Sequence, residues 1–89
     1  MAWTIEFDEQ AKRDLARLDR SIQREITKYL DDRIASATDP KSFGHALGYE
    51  FSGLWRYRVR DYRIICKIEQ DRLVVLVVAI GHRSKAYKR

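Results

Sequence analysis

Arg56, Arg58, Arg60 and Arg63 fall within eight consecutive positions, and His82, Arg83 and Tyr87 follow close together further along the chain. A guanidinium group is planar and carries its donors in a fork that grips two oxygens of a phosphate at once. Several of them converging on one site make a receptor for a polyanion and can neutralise the charge that builds up on a reacting phosphate. Arginine holds its proton too tightly to exchange it near neutral pH, so proton transfer is left to Tyr87 and His82. Neighbouring guanidinium groups favour the phenolate of a tyrosine, and histidine starts nearest to neutrality. Such a set suits cleavage of RNA, because RNA brings its own nucleophile, the 2′-hydroxyl, to the scissile phosphate. Arg58, Arg63, Arg83, Tyr87 and His82 are the candidate catalytic residues. Arg56, Arg60 and Lys85 are candidates for holding the substrate.

The arginines need a rigid support, and the sequence around them supplies one. Leu54-Trp55-Arg56-Tyr57-Arg58-Val59 alternates with period two, so Trp55, Tyr57 and Val59 share one face of a strand and the arginines the other. Arg60-Asp61 reads as a two-residue hairpin loop. Folding there pairs Val59 with Tyr62 and sets Arg58 opposite Arg63. Like charges directly opposite on a sheet are destabilising, a cost that makes sense where the site exists to hold an anion.

The remaining elements follow from hydrophobic spacing. Residues 2–7 alternate, placing Trp3, Ile5 and Phe7 inward as a short strand. Asp8 is a good N-cap for a helix over about residues 9–18, with Ala11, Leu15 and Leu18 on one stripe. Asp19 is the next capping candidate. A longer helix then runs to about Ser36, its buried face marked by Ile22, Ile26, Tyr29, Leu30 and Ile34. The stretch from Thr38 to Gly53, with the single proline and three of the four glycines, reads as a loop, and His45 lies in it as an exposed histidine. Strands follow at about 54–60, 62–69 and 72–80, the last two joined by Gln70-Asp71. Leu73 to Ile80 is apolar on both faces and reads as a central strand. The expected fold is α+β, a helical hairpin packed on a mostly antiparallel four-stranded sheet in the order β-α-α-β-β-β, forming one domain over residues 1–89.

Charge is divided along the chain. Residues 1–54 carry 8 basic and 10 acidic side chains, a net −2, whereas residues 55–89 carry 10 basic and 3 acidic, a net +7. The basicity therefore belongs to the half that holds the arginines, which points to nucleic acid or another acidic partner. Cys66 is the only cysteine and falls in an apolar strand pattern, so it reads as a small buried hydrophobe, and no intrachain disulfide can form. No His-x-x-x-His pair, carboxylate cluster near a histidine or Gly-rich phosphate loop appears, which argues against metal or nucleotide-triphosphate chemistry and leaves no cofactor expected. No stretch reads as a signal peptide or a membrane span, so a cytoplasmic protein without a membrane partner is expected.

Gly53-Leu54-Trp55-Arg56-Tyr57-Arg58-Val59-Arg60-Asp61-Tyr62-Arg63-Ile64, followed by Gly81-His82-Arg83-Ser84-Lys85-Ala86-Tyr87, resembles the RelE toxins of the RelE/ParE toxin–antitoxin superfamily, as does the order of elements across nearly the whole chain. The ending is closer to the nuclease branch than to the gyrase-poisoning ParE branch. The resemblance implies a type II toxin that cleaves messenger RNA in the ribosomal A site by 2′-hydroxyl attack without metal. It implies phosphate contacts for Arg56 and Arg58, transition-state stabilisation by Arg63, leaving-group chemistry for Arg83, and nucleotide stacking or activation by Tyr87. It further implies a RelB-like antitoxin as partner, with operator DNA bound only through the antitoxin complex. The best-known RelE pattern has lysines where this chain has Arg56 and Arg58, so His82 is expected to carry part of the proton transfer. Some relatives place an acidic residue near the position of His45. The competing expectation is a ParE-like inhibitor of DNA gyrase with no nuclease chemistry.

Overall fold

The computed structural model describes residues 2–48 and 53–82. Strand β1 (Thr4–Phe7) leads into helices α1 (Glu9–Ala16) and α2 (Arg20–Tyr29), and a π-helical turn, Leu30–Ile34, extends the second helix. A 3₁₀ turn at Pro40–Ser42 precedes β2 (His45–Ala46), β3 (Trp55–Val59), β4 (Tyr62–Glu69) and β5 (Val74–His82). Among the described residues the sheet has five strands in the order β1-β5-β4-β3-β2, not four. The extra strand is β2, which lies within the stretch expected to be loop. β1 and β5 run parallel, and the other pairs among these strands are antiparallel.

Asp8 caps α1 as expected, its Oδ1 accepting the Ala11 amide at 2.9 Å. Asp19 occupies the corresponding position before α2 but makes no side-chain capping bond. Gln23 closes that corner instead, donating from Nε2 to the Leu18 carbonyl at 2.9 Å. The apolar stripe of α2 and its π turn (Ile26, Leu30 and Ile34, all fully buried) lies over Tyr57, Ile64, Val75 and Val77 on one face of the sheet. Trp3 and Cys66 are buried in the same core, and burial pushes the Cys66 thiol well above its ordinary pKa. Central β5 is buried along most of its length, as its two-sided apolar pattern demands.

Two irregularities shape the sheet. The turn before β5 spans Gln70 to Leu73 instead of two residues, and Leu73 leaves the strand at φ 54, half exposed. A bulge interrupts the β4–β5 ladder at Ile65/Cys66. Beside it the Ile80 amide donates to Asp14 Oδ2 at 2.9 Å, so a carboxylate from α1 satisfies a donor close to the bulge.

Candidate nucleic-acid interface

The hairpin register is the one the sequence dictates: Val59 pairs with Tyr62, and Arg58 with Arg63. Val59 and Tyr62 belong to the helix side of the sheet and pack on the core. Strand alternation therefore puts Arg56, Arg58 and Arg63 on the opposite side. Tyr57 anchors β3 between them; it is fully buried and donates its hydroxyl to the Pro40 carbonyl at 2.7 Å. Burial raises the Tyr57 pKa strongly, so this phenol is a fixed donor and no proton carrier at neutral pH.

The stretch before β3 is drawn onto the sheet edge by Trp55, whose Nε1 donates to the Phe43 carbonyl at 2.6 Å. Gly44 makes that approach possible. It sits at φ 74, and a Cβ there would collide with the Arg56 carbonyl oxygen and lie 2.9 Å from both Trp55 Nε1 and Tyr57 Cδ1. The next residue, His45, thereby pairs with Arg56. Tyr29, Gly44, His45, Arg56, Arg58 and Arg63 together line a cleft of about 230 Å³. Among the described residues its lining carries three guanidinium groups and no carboxylate. Pockets for drug-sized ligands run to roughly 300–1,000 Å³, so this one is small.

Arg63 is the most telling member. Its Nε and Nη1 are shielded from solvent and have no hydrogen-bond acceptor among the described residues. Buried donors are ordinarily paired, and leaving one unpaired costs about 1–3 kcal/mol, more when the group is charged. The fold thus holds a half-buried cation beside Arg56 and Arg58 with two donors that no described residue satisfies. An anion with several acceptor oxygens would satisfy them.

The expected site residues divide three ways. Arg56, Arg58 and Arg63 come together in the cleft. Arg60 does not: it sits at the hairpin tip and ties back to α2, donating from Nη2 to Glu25 Oε1 at 2.7 Å. His82 is also elsewhere, because it pairs with Tyr62 while Arg63 pairs with Gly81. Its ring meets that of Tyr62 edge-on, at 5.8 Å between centroids, on the face turned away from the arginines. Arg83, Lys85 and Tyr87 lie outside the described residues. Two cleft residues, His45 and Tyr29, were absent from the expected site. The loop position of His45 gave no period to read, and Tyr29 passed for an ordinary member of the helical core stripe.

Over residues 5–87 the sequence matches the family described as the ParE toxin of type II toxin–antitoxin systems, parDE. The chain belongs to the RelE/ParE superfamily of type II toxins. Toxin RelG of Mycobacterium tuberculosis is 26% identical over 89 residues, covering all of both chains. Among solved structures, the RelBE2 toxin–antitoxin complex of Mycobacterium tuberculosis contains a chain with the same fold, at a TM-score of 0.83 and 24% identity, covering 94% of each chain. The isolated RelE toxin of E. coli superposes at a TM-score of 0.71 with 20% identity, covering 91% of this chain and 84% of that one. No helix among the described residues of the toxin is long and apolar enough to cross a membrane.

Proposed function

We propose that the toxin is a metal-independent endoribonuclease that cuts messenger RNA on the ribosome, and that the cleft on the β3–β4 hairpin holds the scissile phosphate. The observation that carries this reading is Arg63, half-buried beside Arg56 and Arg58 with two shielded donors that have no acceptor among the described residues. A phosphodiester offers the non-bridging oxygens those donors lack.

In the proposed reaction the 2′-oxygen attacks phosphorus and the bond to the 5′-oxygen breaks, giving a 2′,3′-cyclic phosphate and a 5′-hydroxyl. Arg63 and Arg58, opposite each other in the ladder, face the charge that grows on the non-bridging oxygens, where preorganised donors are most effective. Arg56 holds the backbone beside it. Among the described cleft residues His45 carries the imidazole, the side chain most often used as general acid or base. Arg83 and Tyr87 complete the proposed site from the segment after β5, as leaving-group stabiliser and nucleotide contact, with Lys85 adding charge. His82 and Arg60 are not assigned a part in the chemistry, given the face of one and the Glu25 partner of the other.

A RelB-like antitoxin is the proposed partner, since solved relatives include RelBE complexes, and operator DNA would be reached only through it. The work of such a toxin lies in the cytoplasm, where translating ribosomes are. The family match to ParE toxins favours one other reading, inhibition of DNA gyrase without nuclease chemistry. Primer extension on cellular messages after induction separates the two. Cuts inside translated codons are expected. Intact messages accompanied by DNA damage would overturn the nuclease in favour of gyrase.

A further inference from the structure

The geometry points to Glu25 and Arg60 as positioning residues that aim Arg58 at its phosphate, an inference that rests on the nuclease reading and deepens it. Arg58 needs such support. It faces Arg63 across the ladder, and the repulsion between them favours any rotamer that swings Arg58 outward. Its side chain is 60% exposed, so burial does not hold it. What holds it is the tip of its own hairpin: Nε donates to the Arg60 carbonyl at 2.8 Å, and Nη2 lies 4.0 Å from Asp61 Oδ1.

The direction of that carbonyl depends on the backbone of Arg60, which sits at φ 55. This is the left-handed region, which side chains with a Cβ disfavour. The two-residue hairpin turn demands it, and a contact from outside the turn helps to hold a residue that is not glycine there. The Arg60 guanidinium donates one hydrogen bond to the Glu25 carboxylate, Nη2 to Oε1 at 2.7 Å, and its Nε lies beside Oε2 in an ion pair. The pairing raises the pKa of Arg60 through the hydrogen bond and charge of Glu25. Glu25 stands next to Ile26, which is fully buried in the core, so its backbone is fixed. A contact spanning 35 positions thereby refers the hairpin tip to the helical layer. The chain of command runs from Glu25 through the Arg60 side chain to the Arg60 carbonyl and on to Arg58 Nε.

Single-turnover cleavage of a ribosome-bound message at 25 °C tests this, using Glu25→Ala, Arg58→Ala and the double variant. Loss of aim acts on the bond-breaking step, since misplacement by about 1 Å can cost up to roughly a hundredfold. Glu25→Ala is expected to slow cleavage at saturating toxin about tenfold with little change in ribosome affinity. In the Arg58→Ala background the same substitution should cost less than twofold, because nothing is left to aim. The exchanged pair Glu25→Arg with Arg60→Glu should recover most of the rate lost in either single variant. Equal, additive losses in both backgrounds, or a lower thermal midpoint with an unchanged rate, would overturn the inference. An independent readout is ¹⁵N relaxation of the Arg58 Nε–H group, ordered in the wild type and loosened in Glu25→Ala. If the wild type cleaves nothing, the nuclease reading fails. The relaxation result then still decides whether Glu25 orders Arg58, and an Arg58 equally ordered in both proteins refutes it.

Discussion

Replacing Arg63 with methionine should make the ligand-free toxin more stable while destroying its grip on phosphate. Methionine keeps an apolar stem reaching about as far as Nε and discards the guanidinium. Two shielded donors without acceptors among the described residues, Nε and Nη1, set a ceiling of about 2–6 kcal/mol at about 1–3 kcal/mol each. Arg63 is only half-buried, so rotamer adjustment and solvent reduce that figure, and a gain of about 1–2 kcal/mol is expected. Relief of the repulsion with Arg58 acts in the same direction. In a domain of this size about 1 kcal/mol moves the thermal midpoint by roughly 4–8 °C, so the rise is readily seen by calorimetry. Inorganic phosphate supplies the second half of the test. At about a hundred times its Kd a ligand specific to the folded state stabilises by about 2.7 kcal/mol. Phosphate should raise the midpoint of the wild type and leave that of Arg63→Met where it was. A variant less stable than the wild type, together with an equal response of both proteins to phosphate, would refute the reasoning.

Other expectations follow from single contacts. Asp14→Ala removes the acceptor of the Ile80 amide and should cost about 2 kcal/mol in urea unfolding, as for a lost bond to a charged group. Leu73→Gly should stabilise the turn by about 0.5–1 kcal/mol, since Leu73 holds φ 54 while nearly half exposed and glycine escapes the left-handed penalty; a lower urea midpoint would count against that strain. Burial raises the pKa values of both Cys66 and Tyr57 in the fold. Their contribution is complete at neutral pH and is lost as pH climbs past the ordinary thiol and phenol values of about 8.5 and 10, where the unfolded chain releases protons that the fold retains. Stability should therefore fall by up to about 1.4 kcal/mol per pH unit for each group, and Cys66→Ala should abolish the first part of that decline.

The hairpin was legible because two local rules agree there. The period-two pattern of Trp55, Tyr57 and Val59 and the two-residue loop Arg60-Asp61 admit a single register, and that register is the one observed. Central β5 was legible from its two-sided apolar run, and α1 from Asp8 and its stripe. Strand β2 was hidden because two exposed residues carry no period. Its formation depends on Trp55 reaching back to Phe43 and on Gly44 lying flat against β3, contacts between segments that local patterns do not connect. The parallel pairing of β1 with β5 is non-local in the same way. Leu73 belonged to an apolar run and so read as strand, whereas the turn claims it at positive φ. Within the site, residue type identified the arginines but not their partners. Arg60 and Arg58 look alike in sequence, yet Glu25 on α2 takes one and leaves the other to the cleft. His82 looked near the arginines by position. Pairing with Tyr62 carries it to the other face.

The most direct test of the central claim is a reconstituted ribosome reaction with two messages that differ only in a 2′-deoxy nucleotide at the cut position. The wild-type toxin should cleave the all-ribose message to a 2′,3′-cyclic phosphate end and leave the deoxy message whole, while Arg63→Ala cleaves neither. Cleavage of the deoxy message, or full activity in Arg63→Ala, would contradict the account.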